Sequence, residues 1–124
     1  MKAKMVHENF HVLDLEKSIA FYQEAFGLEV VDEISPEDGS WKIVYMGNDT
    51  TEFRLELTWN EGRTEPYETG GRDIHLAFVV EDIEEAHALH EKMGIIVHEN
   101  MKMGVYFVSD PDGLFLEVMT EKNE

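Results

Sequence analysis

The chain has 124 residues, 43% of them hydrophobic, which suits one soluble domain with a real core and argues against disorder. There are no cysteines, so disulfides, thiolate metal sites and cysteine nucleophiles are excluded, and no apolar run is long enough to span a membrane. A net charge of −17 repels nucleic acid phosphates and anionic lipids; its simplest role is solubility, and it makes the arginines, Arg54, Arg63 and Arg72, informative. The start, Met1 to Val6, lacks the apolar core of a signal peptide, so a cytoplasmic location is expected.

His7 to Leu13 reads as a strand with Glu8, Phe10 and Val12 on one face and His7, Asn9 and His11 on the other. Asp14 is a suitable N-cap for a helix carrying Leu15, Ile19, Tyr22 and Phe26 at helical spacing, which Gly27 can end. Strands are then expected over Leu28–Ile34, Trp41–Met46 and Thr51–Trp59, with turns at Pro36–Gly39 and Gly47–Asp49. Asn60 to Arg72 is polar and glycine-bearing, and reads as a linker loop. The order then starts again. Asp73–Val80 reads as a strand, and Asp82 caps a helix, with Glu85 placed to complete a capping box. That helix has Ile83, Ala86, Leu89, His90 and Met93 as its inner stripe and stops at Gly94. Strands over Ile95–His98, Met103–Val108 and Leu114–Thr120 follow, the last after the turn Asp110-Pro111-Asp112-Gly113.

This is an internal repeat. His7, Phe10, Val12, Asp14 and Leu15 map onto His75, Phe78, Val80, Asp82 and Ile83 at a constant separation, 75 − 7 = 68. Gly27 maps onto Gly94 after a single deletion, and Glu56 maps onto Glu117. The expected class is α+β, with tandem βαβββ modules: residues 1–60, a linker over 61–72, and residues 73–124, together forming a single domain.

Each module places one histidine early in its first strand and one glutamate within its last, both away from the apolar face. A lone carboxylate inside an apolar strand is costly without a partner. Two at matched places suggest a shared one. If the modules pair about a pseudo-twofold axis, His7, Glu56, His75 and Glu117 converge, and two imidazoles with two carboxylates suit nickel, zinc, cobalt, manganese or iron. A single strand histidine is more often structural; four matched residues reverse that preference. His87, His90 and His98 have no counterparts in the first module and read as structural, and Glu81 to Glu85 reads as an acidic helix start.

Four segments, His7–Leu15, Leu55–Asn60, Ile74–Ala77 and Asp110–Glu117, resemble the vicinal oxygen chelate superfamily and, within it, the glyoxalase I (lactoylglutathione lyase) family. The Glu-Leu-Thr-x-Asn stretch at Glu56–Asn60 is the more specific signal; the Asp-Pro-Asp-Gly turn is common to the superfamily. The resemblance implies the glyoxalase/bleomycin-resistance/dioxygenase fold, the same four metal ligands, and a homodimer. It implies isomerisation of the hemithioacetal of methylglyoxal and a thiol, glutathione or similar, to an S-lactoyl thioester. Glu117 is then expected as the main base and Glu56 as the second, with one divalent ion per site, nickel favoured over zinc and cobalt or manganese possible. Asn60, His11, Lys102 and Arg54 are the implied substrate contacts.

The chain departs from the family at three of those contacts. His11 stands where an arginine commonly grips the glutathione glutamyl carboxylate, and a neutral imidazole is a poorer anion grip. Arg54 replaces a small apolar residue and either pairs with a ligand carboxylate or contacts substrate. Lys102 aligns only loosely with a family lysine near the thiol. The alternatives are another metal enzyme of the superfamily, such as an epimerase, a thiol transferase or an extradiol dioxygenase, and a metal-free small-molecule-binding protein.

Overall fold

A computed structural model describes residues 1–121. The chain forms two compact units, Met1–Tyr67 and Glu68–Glu124, and the boundary falls inside the expected linker.

The first unit runs β1 (His7–His11), α1 (Leu15–Phe26), β2 (Glu29–Ile34), β3 (Trp41–Gly47) and β4 (Arg54–Asn60). Its sheet has the order β1-β4-β3-β2, with β1 and β4 parallel and the remaining pairs antiparallel. The second unit runs β5 (His75–Val79), α2 (Ile83–Met93), β6 (Ile96–Asn100), β7 (Val105–Ser109) and β8 (Phe115–Met119). Its sheet order, β5-β8-β7-β6, repeats the first with the same strand directions. The register shifts between Val30 and Asp32 in β2 and between Ile96 and His98 in β6, so the repeat extends to a bulge in each outer strand. The class is therefore α+β, with two βαβββ units, as the duplication in the sequence indicates.

Period-two alternation decides which face of each sheet is dry. Val44, Met46, Leu55 and Leu57 are buried beneath α1, which contributes Phe21, Tyr22 and Ala25. In the second unit Tyr106, Val108, Leu116 and Val118 are fully buried, and Leu114 nearly so. Burying a Leu or Val side chain contributes about 1.5–3 kcal/mol, so these alternating rows fix the register and send Glu56 and Glu117 to the opposite face.

The helix ends follow their chemistry. Asp14 Oδ1 accepts from the Lys17 backbone N–H at 3.1 Å, and Asp82 Oδ1 from that of Glu85 at 3.0 Å. Gly27 (φ 65°) and Gly94 (φ 71°) close the helices in the left-handed conformation that glycine adopts without a Cβ clash. Only the Asp82 half of the expected capping box forms among the described residues.

Several expected boundaries shift. Thr51 to Phe53 lie outside β4, because pairing with the first strand segment begins where Arg54 N–H donates to Val6 O, 3.0 Å. The turn ahead of it is closed by Asn48 Oδ1, which accepts from the N–H groups of Thr50 (3.0 Å) and Thr51 (3.2 Å). The inner stripe of α2 is also different. Leu89 is exposed, and His87 with His90 turns inward to meet Tyr106. Tyr106 already fills the volume under that helix, so an apolar Leu89 is not needed there.

Candidate metal centre

In the first unit the parallel pairing of β1 with β4 sets Asn9 opposite Glu56, and His7, two residues earlier on the same face, opposite Arg54. His7 Nε2 lies 3.8 Å from Glu56 Oε2. Asn9 Nδ2 donates to Glu56 Oε1 at 2.5 Å and to Thr58 Oγ1 at 2.6 Å. Tyr45, directly opposite Glu56 across the antiparallel β3–β4 pair, donates its hydroxyl to the same carboxylate; that bond, with burial and the nearby negative charge, raises the Tyr45 pKa. The Glu56 side chain is only 12% exposed.

The second unit has the same backbone arrangement with different neighbours. Ala77 stands opposite Glu117, and Phe107 faces it from β7. His75 Nε2 lies 3.4 Å from Glu117 Oε1. The His75 ring meets Phe107 edge to face at 5.2 Å, as His7 meets Tyr45 at 6.1 Å. Among the described residues, Glu117 accepts no counterpart of the Asn9 and Tyr45 bonds. The turn that delivers β8 is built by Asp110, whose buried Oδ1 accepts from the N–H groups of Asp112 and Leu114, both at 2.9 Å. Gly113 there has φ 88°, a value that needs glycine.

Each unit therefore holds one imidazole nitrogen beside one carboxylate oxygen, at a spacing that small side-chain rotations bring onto one ion. Nitrogen with hard oxygen donors and no thiolate is a donor set for a divalent first-row metal.

The implied substrate contacts separate into three places. His11 and Asn60 both meet Tyr67: the His11 ring is 5.2 Å from the Tyr67 ring, and Asn60 Nδ2 donates to the Tyr67 hydroxyl at 3.4 Å. Arg63 lies over the same ring, its Cζ 4.2 Å from the centroid, fastened by its donation to the backbone oxygens of Glu65 and Pro66. Among the described residues Arg54 makes no ion pair with Glu56, the ligand carboxylate of its own unit. It folds over Gly47, where a Cβ would sit 2.7 Å from Arg54 Cδ, and its Nη1 donates to Thr51 O. It there lines a depression of about 350 Å³ with Val31, Asp32, Ile34 and Tyr45. Lys102 is exposed in the turn between β6 and β7.

Sequence reasoning missed Asn9, Tyr45, Tyr67 and the placement of Arg63. Asn9 carried a usable signal, since it shares the His7 face one strand period along. Tyr67 and Arg63 carried none, because a polar loop gives no periodicity from which to read a direction.

The Glyoxalase/Bleomycin resistance protein/Dioxygenase superfamily model matches residues 4–118. A lactoylglutathione lyase of Neisseria meningitidis is 33% identical over 128 residues, covering 97% of this chain and 92% of that protein. This chain belongs to the glyoxalase I family. A solved family structure, the trypanothione-dependent glyoxalase I of Leishmania major, superposes with a TM-score of 0.85 at 33% identity, over 98% of this chain and 88% of that one. The family also has longer members: against the lactoylglutathione lyase of Schizosaccharomyces pombe the chain is 28% identical but spans only 47% of its length. No helix among the described residues is long and apolar enough to cross a membrane.

Proposed function

We propose that this protein is a metal-dependent glyoxalase I, converting the hemithioacetal of methylglyoxal and a thiol to the S-lactoyl thioester. The observation that carries the reading is the duplicated histidine–glutamate pair, one in each unit, with one glutamate tethered and the other not. His7, Glu56, His75 and Glu117 would hold one divalent ion, nickel ahead of zinc, in a single domain whose active form is a cytoplasmic homodimer. When bound, that ion supplies positive charge to stabilise the enediolate.

The residues divide the remaining work. The reaction removes a proton from the carbon bearing sulfur and returns it to the neighbouring carbon. Glu117 takes the first proton and returns it, because its carboxylate can move without breaking bonds to Asn or Tyr donors. Glu56 would give up bonds from Asn9 and Tyr45 to move, each worth about 1 kcal/mol, so it serves chiefly as a fixed ligand and as the second base. His11, Asn60 and Arg63 around Tyr67 take the polar end of the thiol, the Arg63 guanidinium supplying a permanent positive charge there. Arg54 and Lys102 contact the thiol elsewhere.

The test is reconstitution of metal-stripped protein with Ni²⁺, Co²⁺, Mn²⁺ and Zn²⁺ separately, assayed on methylglyoxal hemithioacetals of glutathione and of other thiols. Nickel is expected to restore the highest turnover. Inactivity with every metal and every thiol would move the assignment to another reaction of the superfamily.

A further inference from the structure

One cluster in the second unit takes no part in the site above. His87 and Glu91 are one helical turn apart and share a face of α2. Glu99 comes to them from β6, its Oε1 3.3 Å from His87 Nε2. One ligand atom from each of the three lies within 4.8 Å of the other two. His87 Nε2 is shut off from solvent and has no hydrogen-bond partner among the described residues. The approach of Glu99 is close enough for an ion pair, yet it is not aligned as a hydrogen bond. A desolvated ring nitrogen that lies beside a carboxylate without a hydrogen bond is a polar group with room for an electrophile. The ring itself is held edge to face against Tyr106 at 5.0 Å, so its direction is fixed by packing.

We propose that His87, Glu91 and Glu99 form a second divalent-cation site, of the zinc class, that fastens α2 to β6. A nitrogen and two carboxylates are a common first-row donor set, with metal–ligand distances of about 2.0–2.2 Å. Atoms sharing such an ion sit within roughly 4 Å of each other, so modest side-chain rotations close the cluster. Glu91 is exposed and the Glu99 side chain is 46% exposed, which leaves an entry path and room for water as the remaining ligand. The site is particular to the second unit: the counterparts of His87 and Glu91 are Ile19 (87 − 68 = 19) and Gln23 (91 − 68 = 23). It lies wholly within that unit and stands whether or not the proposed activity does.

The experiment compares full-length variants, stripped of metal and dialysed against Zn²⁺ near neutral pH, by zinc content per chain. His87→Gln, Glu91→Gln and Glu99→Gln should each retain about one ion fewer than the wild type. Glu84→Gln removes the same charge from the same helix, outside the cluster, and should retain the full complement. The ring resonances of His87 should shift on zinc addition to the wild type. Failure of the catalytic reading would lower the total in every variant alike and leave this difference intact. Equal zinc in wild type and cluster variants would overturn the proposal, as would an equal loss in Glu84→Gln. Glu91 is exposed, so its substitution does not endanger the fold and keeps the test decisive.

Discussion

The two units share one backbone plan, yet they hold their glutamates differently. Glu56 sits under two donors, Asn9 and Tyr45. At the matching places beside Glu117 stand Ala77 and Phe107, which have nothing to donate. Duplication preserves the strand register that aims a carboxylate. Divergence at the cross-strand neighbours then decides whether it is anchored. The cores differ in the same way. Tyr22 on α1 packs in the unit where β3 carries Val44, whereas the second unit has His90 on α2 and Tyr106 on β7. The large ring has moved from helix to sheet, and His90 Nδ1 meets the Tyr106 hydroxyl at 2.7 Å.

The most severe test of the asymmetry is Glu117→Gln. It should lower kcat about 10³-fold with metal content retained, within the usual range for loss of a general base, while Glu56→Gln should cost clearly less. Equal losses, measured by thioester formation alongside metal analysis, would end the distinction between an anchored and a mobile carboxylate. The scaffold itself should respond symmetrically. Leu57→Ala and Leu116→Ala each empty a fully buried strand position and should destabilise by about 2–5 kcal/mol in urea titrations. A milder effect is expected from grafting the tether. Ala77→Asn with Phe107→Tyr should fasten Glu117 and reduce kcat about 30-fold, the cost of breaking roughly 2 kcal/mol of new bonds. Unchanged turnover would show that mobility is not what separates the two glutamates.

The smallest effect concerns pH. Burial raises the Tyr106 pKa well above its ordinary value of 10.0. A raised folded-state value means that the stability it contributes is whole below about pH 10 and declines as pH rises further. Thermal melts from pH 8 to 11 should therefore show a decline that Tyr106→Phe flattens. That variant should also be less stable at neutral pH by about 0.5–1.5 kcal/mol, since it removes the hydrogen bond between the Tyr106 hydroxyl and His90 Nδ1.

How far the sequence could be read depended on periodicity. The alternation in Leu55–Glu56–Leu57 and Leu116–Glu117–Val118, the Asp caps and the left-handed glycines gave both units their elements, because each signal is local and repeated. Boundaries slipped where a distant partner decided them, as at Thr51–Phe53. Leu89 fitted a helical stripe by spacing, yet Tyr106 had taken the space. His87 had no counterpart in the first unit and so read as merely structural, whereas its unmet nitrogen became visible only beside Glu99.

By itself the sequence determined the duplication, the α+β class and the direction of the histidines and glutamates, since strand alternation is set by burial of every second side chain. Only the tertiary structure decided which carboxylate is tied down, that Arg54 turns to Thr51 and Gly47, and that Tyr67 gathers His11, Asn60 and Arg63. Those outcomes depend on side chains meeting across strands and loops, and no residue's immediate neighbours in the chain carry that information.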